Sequence, residues 1–461
     1  MKMDILSYYQ KVWPVIKNCF SSHARFFIAT HKPDLLARGW NPNTHPMVEV
    51  LELPENLDMP NSLQHRTCND GYEVFLPIVG RDSNTILFPF DCEIFLDAEN
   101  HRIYTDRSFH KEMIADYIKP TCDLLENLLM KYNIPYILDY TPSGFHLLFL
   151  VQRKTTAWKE LAKIGYLEEE MQKFISIQDQ DDIKRKVLVE KDAALVFSGL
   201  GRIAEYLCFL VFEKYNRTKS LIPAAVCDCA ARCVNLDLSW AGDSAIMRCM
   251  RSIAGAHRKR SDRYGINGEP LVDVIYSYYN GKERISLKEG KKTTGKTSPE
   301  ETDISNIIQA MWNKDLASEI SSQYEGTIPQ ANDSILLLIE EYKKSALYRL
   351  HQEFDNKENL NEGEGIYRFY HDSRLNSEAK SRLYYPVPAF LQPMVLRRFV
   401  KHCFAIGWHP KHIGNGIRDI YKQNEFRFPF HKYPAETKAN FYARIFTAMA
   451  LMEEEKIKLT T

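Results

Sequence analysis

Strand-like and helix-like segments alternate between residues 86 and 215, and this alternation limits the folds that the chain can adopt. Short runs rich in β-branched and aromatic residues lie at Cys92–Leu96, Tyr136–Tyr140 and Phe145–Val151. Helical stretches lie at Glu112–Tyr132 and Leu195–Tyr215. Strands that alternate with helical segments are typical of mixed α/β domains. We therefore predict an α/β, or α+β, core in this part of the chain.

The regions on either side of this core have their own patterns. Near the N-terminus apolar residues recur at helical spacing and predict an amphipathic helix: Ile5, Tyr8, Tyr9, Val12 and Trp13. Two more strands are predicted at Arg25–Thr30 and Tyr72–Pro77. Residues 303–461 read as almost wholly helical, with helices that begin near Ser334, cover Met394–Phe404 and cover Lys438–Leu459.

A polar tract rich in Lys, Gly, Thr and Ser covers residues 281–300 and reads as a linker. The predicted organisation is an α/β domain over residues 1–285, a linker over 286–302 and a helical domain over 303–461. We find no internal repeat.

Two carboxylates follow the apolar strand at Cys92–Leu96. Asp97 and Glu99 are two residues apart, so on a continuing strand they would project from the same face, about 7 Å apart. Carboxylates so placed repel each other and favour a divalent cation, and Mg²⁺ is usually held by one or two carboxylates together with substrate phosphates. A solvated strand end is the alternative interpretation of this pair.

Three further motifs follow along the chain. Tyr136–Tyr140 and Phe145–Val151 flank a turn that contains Ser143 and Gly144, with His146 near the mouth of this hairpin. Asp237 lies between two leucines on a predicted strand. The segment that begins at Arg251 and ends at His257 reads R-S-x-x-G-x-H.

This order of motifs, D-x-E, S-G-x-H, h-D-h and R-S-x-x-G-x-H, resembles the archaeo-eukaryotic primase superfamily. That superfamily includes the catalytic subunits of replicative primases and the primase-polymerases. The resemblance covers about residues 85–265. It implies a primase-type α/β catalytic core, followed by a helical domain that assists template binding or primer initiation.

The resemblance also implies roles for particular residues. Asp97, Glu99 and Asp237 would hold two Mg²⁺ or Mn²⁺ ions and would be the catalytic residues, with Asp243 as the other candidate for the third carboxylate. The incoming nucleotide would be bound by five residues: Ser143, Gly144, His146, Arg251 and His257. Phe145 departs from the family, in which many members carry a second Gly or a basic residue within the S-x-H motif. The implied activity is template-dependent joining of NTPs or dNTPs on single-stranded DNA. The implied protein partners are a replicative helicase or other replication proteins.

Charge is balanced overall but uneven along the chain. The sequence contains 60 Lys and Arg and 60 Asp and Glu. Residues 248–263 contain six cations and one opposing Asp, which favours phosphate binding. Residues 397–412 interleave cations with Phe399, Phe404 and Trp408, a pattern suited to single-stranded nucleic acid, although a helix that buries its aromatic residues gives the same pattern.

Two other patterns suggest different functions. Gly290–Thr297 matches the P-loop pattern, but it follows a poor core strand, and Pro299 does not suit a helix that begins at Lys296. A P-loop ATPase or helicase, a metal-dependent nuclease and a non-catalytic DNA-binding replication initiator stay open as alternatives. Cys227, Cys229 and Cys233 lack the paired spacing of strong zinc sites and read as part of a small-residue helix, so zinc is not expected there.

The sequence also bears on where the chain would act. We find no apolar run of the roughly 20 residues that span a bilayer and no secretory signal. The ten cysteines are scattered rather than arranged as a disulfide framework. We expect a cytoplasmic protein without a membrane partner, in a prokaryotic cell or in the replication of a plasmid or phage.

Overall fold

A computed structural model describes most of the chain, and its contacts divide it into two units. The described residues are 3–19, 25–29, 48–52, 73–80, 84–176, 189–214, 223–224, 233–242, 249–257, 265–266, 270–288, 291–295, 301–377, 379–380, 393–422 and 435–454. Unit 1 comprises Met1–Lys159, Gln180–Val189 and Ala245–Leu336. Unit 2 comprises Glu160–Asp179, Glu190–Ser244 and Leu337–Thr461. The fold is mixed α/β with a mostly helical C-terminal region, as predicted.

The strands are numbered in chain order. They are β1 (Arg25–Ala29), β2 (Val48–Glu52), β3 (Glu73–Pro77), β4 (Thr85–Phe95), β5 (Tyr136–Thr141), β6 (Gly144–Gln152), β7 (Pro223–Ala224), β8 (Cys233–Asp237), β9 (Cys249–Arg251), β10 (Ala256–His257), β11 (Leu271–Val272), β12 (Val274–Tyr279), β13 (Arg284–Lys288) and β14 (Lys291–Gly295). The strands predicted at Arg25–Thr30, Tyr72–Pro77, Tyr136–Tyr140 and Phe145–Val151 are confirmed.

The helices are also numbered in chain order. They are α1 (Ile5–Cys19), α2 (Arg107–Met113), α3 (Lys119–Lys131), α4 (Thr156–Ile164), α5 (Glu169–Ser176), α6 (Lys191–Lys214), α7 (Glu301–Met311), α8 (Lys314–Ser321), α9 (Ile335–Lys344), α10 (Ala346–Asn356), α11 (Glu364–His371), α12 (Pro393–Ala405), α13 (Pro410–Tyr421) and α14 (Ala435–Glu453). A 3-10 helix covers Asp97–Tyr104, and a π-helical turn at Ile114–Ile118 joins α2 to α3.

Antiparallel pairing organises unit 1. Six of its strands lie side by side in the order β14, β13, β12, β5, β6 and β4. The β5–β6 hairpin is central, and the fully buried residues of β6 explain why its sequence is a continuous apolar run rather than an alternating one. A second sheet has the order β2, β1, β3 and β9. Helix α1 buries the face predicted from its apolar spacing and packs against α8.

Unit 2 is built around α6, which carries charge into a buried environment. The guanidinium of Arg202 forms two 2.8 Å contacts with the carboxylate of Asp355. Glu205 is bound by Arg444, and its Oε2 lies 3.0 Å from His351 Nε2. Burial alone would raise the pKa of Glu205, but Arg444 and His351 outweigh burial and lower this pKa to about 2. Paired in this way, the buried charges tie α6 to α10 and α14.

One prediction about local structure is wrong. The tract predicted as a linker contains strand β14, which pairs with β13 from Arg284↔Gly295 to Lys288↔Lys291. This tract is polar, so its own propensity is weak and the neighbouring strand decides its conformation. The small-residue helix predicted around the cysteines lies for the most part outside the described residues, and its two ends belong to β7 and β8, which pair in parallel.

One helix among the described residues is long and apolar enough to cross a bilayer. This helix is α6, and 89% of its most apolar 18-residue stretch is buried inside the structure. A single helix of this kind is weak evidence for a membrane span, because the buried core helix of a globular protein can have the same length and composition.

Candidate functional site

Three polar side chains form a row across the sheet of unit 1. Asp91 on β4 and Asp139 on β5 are both directly opposite His146 on β6, so all three project from one face of the sheet. His146 Nε2 lies 3.7 Å from Asp91 Oδ1, and His146 Nδ1 lies 3.7 Å from Asp139 Oδ2. The side chains of Asp139 and His146 are almost fully buried, whereas that of Asp91 is 21% exposed. The row therefore runs from the protein interior toward solvent.

A second pair lies beside this row. Glu93 is two residues beyond Asp91 on β4, and its Oε1 lies 3.4 Å from the Ser143 hydroxyl, which donates to it. Glu93 is opposite Gly144 in the β4–β6 pairing. A Cβ at Gly144 would overlap the carbonyl oxygen of Cys92 and lie 2.7 Å from the carbonyl carbon. Glycine is therefore required here by the neighbouring strand, which is a different reason from the nucleotide binding that the resemblance implies.

Asp273, just before β12, brings further charge to the buried end of the row. Its Oδ2 lies 3.6 Å from Arg251 Nε, and Arg251 Nη1 lies 3.4 Å from Glu73 Oε1. Burial alone would lower the pKa of Arg251, but Asp273 and Glu73 outweigh burial and raise this pKa. Arg251 thus forms ion pairs with protein carboxylates here, whereas the resemblance implies that it binds the incoming nucleotide.

Asp139 has an unusual environment for a carboxyl group. Its Oδ1 accepts a 3.2 Å hydrogen bond from the Ala254 amide. Burial, and then the nearby charge of Asp273, raise the pKa of Asp139 well above its usual range, although the Ala254 amide and Arg251 act in the opposite direction. The ligand atoms of Asp139, His146 and Asp273 all lie within 4.8 Å of one another, so these three groups can converge on one cation.

Helix α1 fixes the segment that follows Arg251. The Tyr8 hydroxyl lies 3.0 Å from the Ala254 carbonyl oxygen and 3.3 Å from that of Asp273, and the Tyr9 hydroxyl accepts from the Ala256 amide at 3.0 Å. Ala254 has a φ of +49°, a conformation that non-glycine residues adopt only when their surroundings hold them in it. The predicted R-S-x-x-G-x-H motif is therefore a clamped loop beside the row.

The first two predicted metal ligands do not lie on the strand. Strand β4 ends at Phe95, and Asp97 begins the 3-10 helix, so the premise that Asp97 and Glu99 continue a strand face is wrong. Glu99 Oε1 is instead 3.1 Å from Arg102 Nη1. The structure describes no side-chain contacts for Asp97. The same D-x-E spacing occurs six residues earlier, at Asp91 and Glu93, inside the strand. This earlier pair was the better signal in the sequence.

The structure places the other predicted residues as follows. Asp237 ends β8 in unit 2, is half-buried, and its Oδ1 accepts from the Ser239 amide at 2.8 Å. Asp243, which was the alternative, lies outside the described residues. His257 is buried, with its ring 5.8 Å from that of Tyr104. Thus Ser143, Gly144, His146 and Arg251 come together in unit 1, and His257 lies on β10 of the same unit.

The basic stretch near the C-terminus takes part in helix packing. Arg397 and Lys401 of α12 both bind Glu453 of α14. Trp408 donates to Asp372 at 2.7 Å, and its ring lies 4.4 Å from that of Phe369. Lys401 is nevertheless exposed, so nucleic-acid binding by this stretch stays a prediction. Of the cations at 248–263, only Arg251 lies among the described residues.

The P-loop match also has a structural assignment. Lys291–Gly295 forms the antiparallel strand β14 rather than a loop, and the next described helix, α7, begins at Glu301. Lys296 and Thr297 lie outside the described residues. The part of the motif that the structure describes therefore lacks the form of a phosphate-binding loop.

Comparisons with known proteins do not assign the chain to a family. No family model, curated protein or solved structure matches it. The chemistry of the site must therefore be argued from its own residues.

Proposed function

We propose that the chain is a primase or primase-polymerase type nucleotidyltransferase that joins NTPs or dNTPs on a single-stranded DNA template. One observation carries the proposal: Asp91 and Glu93 project from one face of β4 beside Ser143 and His146 of the adjacent hairpin. This is the combination of motifs that the resemblance implies, with the D-x-E pair moved six residues toward the N-terminus.

The carboxylate pair has the properties required to bind Mg²⁺ or Mn²⁺. Both side chains are half-buried and supply only oxygen atoms, which are the ligands that these hard cations prefer. When bound, such ions neutralise charge on the triphosphate and lower the pKa of an attacking hydroxyl. Asp91 and Glu93 would hold them, and Asp237 stays the proposed third carboxylate. Asp97 and Glu99 are no longer proposed as ligands.

The surrounding residues would orient this pair. His146 faces Asp91 and limits its rotation, while the Ser143 hydroxyl donates to Oε1 of Glu93 and orients that carboxylate. Because His146 is almost fully buried, we now assign it to positioning Asp91 rather than to contact with the triphosphate. The helical region remains the proposed accessory domain for template binding or primer initiation.

The test compares the two D-x-E pairs directly. The purified full chain is incubated with single-stranded DNA, Mg²⁺ or Mn²⁺ and labelled nucleotides, and product length is read on a gel. We expect Asp91→Asn and Glu93→Gln each to reduce incorporation by about 10²–10³-fold, because each removes a charged ligand worth several kcal/mol in the transition state. The matched controls Asp97→Asn and Glu99→Gln should stay within about twofold of wild type.

Other results would favour the alternative functions. A larger loss of incorporation in Asp97→Asn and Glu99→Gln than in Asp91→Asn and Glu93→Gln would place the metal site at Asp97 and Glu99. Shortening of the DNA instead of synthesis would indicate a nuclease, and ATP hydrolysis that is lost in Lys296→Ala would indicate a P-loop ATPase. DNA binding without any incorporation by the wild-type chain would indicate an initiator and would overturn the proposal.

A further inference from the structure

The buried end of the polar row contains a set of ligands that is separate from the carboxylate pair proposed to hold the catalytic ions. Asp139, His146 and Asp273 each offer one ligand atom, and these atoms lie within 4.8 Å of one another. All three side chains are at most 1% exposed. An exchangeable catalytic ion must be reachable by substrate. The half-buried carboxylates on β4 meet this requirement, whereas the buried set does not.

Asp139 directs an oxygen atom into this set. Its Oδ1 is occupied by the Ala254 amide. Its Oδ2 is buried and has no hydrogen-bond partner among the residues that the structure describes. A buried carboxylate oxygen without a hydrogen bond is costly, by roughly 1–3 kcal/mol or more. This oxygen faces His146 Nδ1 at 3.7 Å, so it points to where a cation would be held.

His146 has the arrangement typical of a metal-binding histidine. One ring nitrogen, Nδ1, faces the buried set, and the other, Nε2, faces the carboxylate of Asp91. Histidines that bind metals usually donate their second N–H to a carboxylate, which fixes the tautomer and the ring orientation.

The charge of the region also favours a cation. Asp139 and Asp273 are both buried, and the guanidinium of Arg251, which lies 3.6 Å from Asp273, is shared with Glu73. Buried carboxylates must be paired, protonated or bound to metal. The competing arrangement is therefore an Asp139 that holds a proton in place of an ion.

We propose that Asp139, His146 and Asp273 bind one divalent transition-metal ion, of the class of Zn²⁺ or Mn²⁺, as a buried structural site. One imidazole nitrogen and two carboxylate oxygens form a ligand set that these ions accept and that Mg²⁺ disfavours. The ion would link β5, β6 and the start of β12. Through Asp139 it would also fix the loop at Ala254. This proposal does not depend on nucleotidyl transfer.

The test measures metal that is retained by the purified full chain. Protein produced with Zn²⁺ or Mn²⁺ is passed through gel filtration in chelator, and metal is quantified by mass spectrometry. We expect about one retained ion per chain in the wild type and less than about a tenth of that in Asp139→Asn, which keeps the shape of the side chain and the acceptor for Ala254. Asp91→Asn should weaken retention by about 10–100-fold, because it removes the partner of His146.

Glu93→Gln is the matched control, because Glu93 lies on the same strand as Asp91 but is not one of the three proposed ligands. It should retain the ion even though it loses synthesis, which separates this site from the proposed catalytic pair. If Asp139→Asn does not fold, electron spin-echo spectroscopy of the Mn²⁺-loaded wild type tests whether His146 binds the ion. An imidazole nitrogen bound to Mn²⁺ gives a characteristic modulation of the echo decay. No retained metal in the wild type, equal retention in Asp139→Asn or no imidazole signal would each overturn the proposal.

Discussion

At the scale of single residues, the site depends on positions where the backbone leaves little freedom. Gly144 lies against the Cys92 carbonyl, so β4 and β6 can pair there only because residue 144 has no side chain. Glu93 and Ser143 are held together by this contact between the two strands. One glycine thus positions a carboxylate on a strand some fifty residues earlier in the chain.

We expect Gly144→Ala to lower the free energy of unfolding by about 3 kcal/mol or more, because its Cβ would overlap backbone atoms that cannot move without breaking the β4–β6 pairing. The measurement is urea unfolding of the purified chain. Gly281→Ala is the matched control: its φ is +92°, but a Cβ there would meet only the Asn133 carbonyl oxygen, at 3.7 Å. This control should cost about 1 kcal/mol from backbone strain alone. Equal costs for the two variants would contradict the steric argument.

At the scale of elements, α1 supports the site from outside the sheet. Its apolar face packs against α8, while its two adjacent tyrosines hydrogen-bond the loop between β9 and β10. Burial, the main cause, raises the pKa of both hydroxyl groups, so they stay protonated. An N-terminal helix whose pattern looks merely amphipathic therefore also fixes the loop that supplies the Ala254 amide to Asp139.

Tyr9→Phe should speed amide exchange at Ala256, because the hydroxyl that accepts from this amide is removed while the ring is kept. Loss of one buried hydrogen bond, about 1–2 kcal/mol, corresponds to roughly 10-fold faster exchange. Hydrogen–deuterium exchange read by mass spectrometry or NMR measures the effect. The Leu150 amide, which donates to the Pro329 carbonyl at 2.8 Å, is the internal control and should not change. A uniform increase at both amides would mean that the whole unit is loosened instead.

At the scale of the whole molecule, the chain passes between its two units several times. Unit 1 needs residues 245–336 as well as the first 159, so the boundary predicted at residue 285 cuts through it. The residues after this boundary make specific contacts within unit 1. The Ile328 amide donates to Cys19 at 2.9 Å, and the Ile275 amide donates to the Ser321 hydroxyl at 3.3 Å.

A fragment of residues 1–285 should therefore fail to fold cooperatively, although the sequence pattern predicts it to be a domain. It lacks α7, α8, β14 and most of β13, so the edge of the β12 strand and the packing face of α1 would be exposed. Circular dichroism during urea titration, with the full chain as reference, measures cooperativity. A fragment with a sharp transition and protected amides on β5 and β6 would contradict the division into these units.

Part of the site could be predicted because it is local. The β5–β6 hairpin follows from two apolar runs around a Ser-Gly turn, and it places Ser143 and His146 within four residues. The D-x-E spacing occurs twice between residues 91 and 99, and the pair predicted from the sequence to bind metal is the one after the strand. The position at which an apolar run stops being a strand depends on its partner: β6 pairs with β4 up to Glu93, and the chain turns into a 3-10 helix soon afterwards.

The sequence by itself determined the periodic features: the α/β class, the central hairpin, the helical C-terminal region and the buried face of α1. These follow from spacing along the chain, which acts over a few residues at a time. Only the tertiary structure decided that Asp139 and Asp273 lie beside His146, and that Arg251 is paired with Asp273 rather than free for phosphate. Asp273 and His146 are more than a hundred positions apart, and Arg251 ends β9 whereas Asp273 lies between β11 and β12. The contact of Asp139 with His146 depends on strand register, and a shift of one residue would turn every side chain to the opposite face.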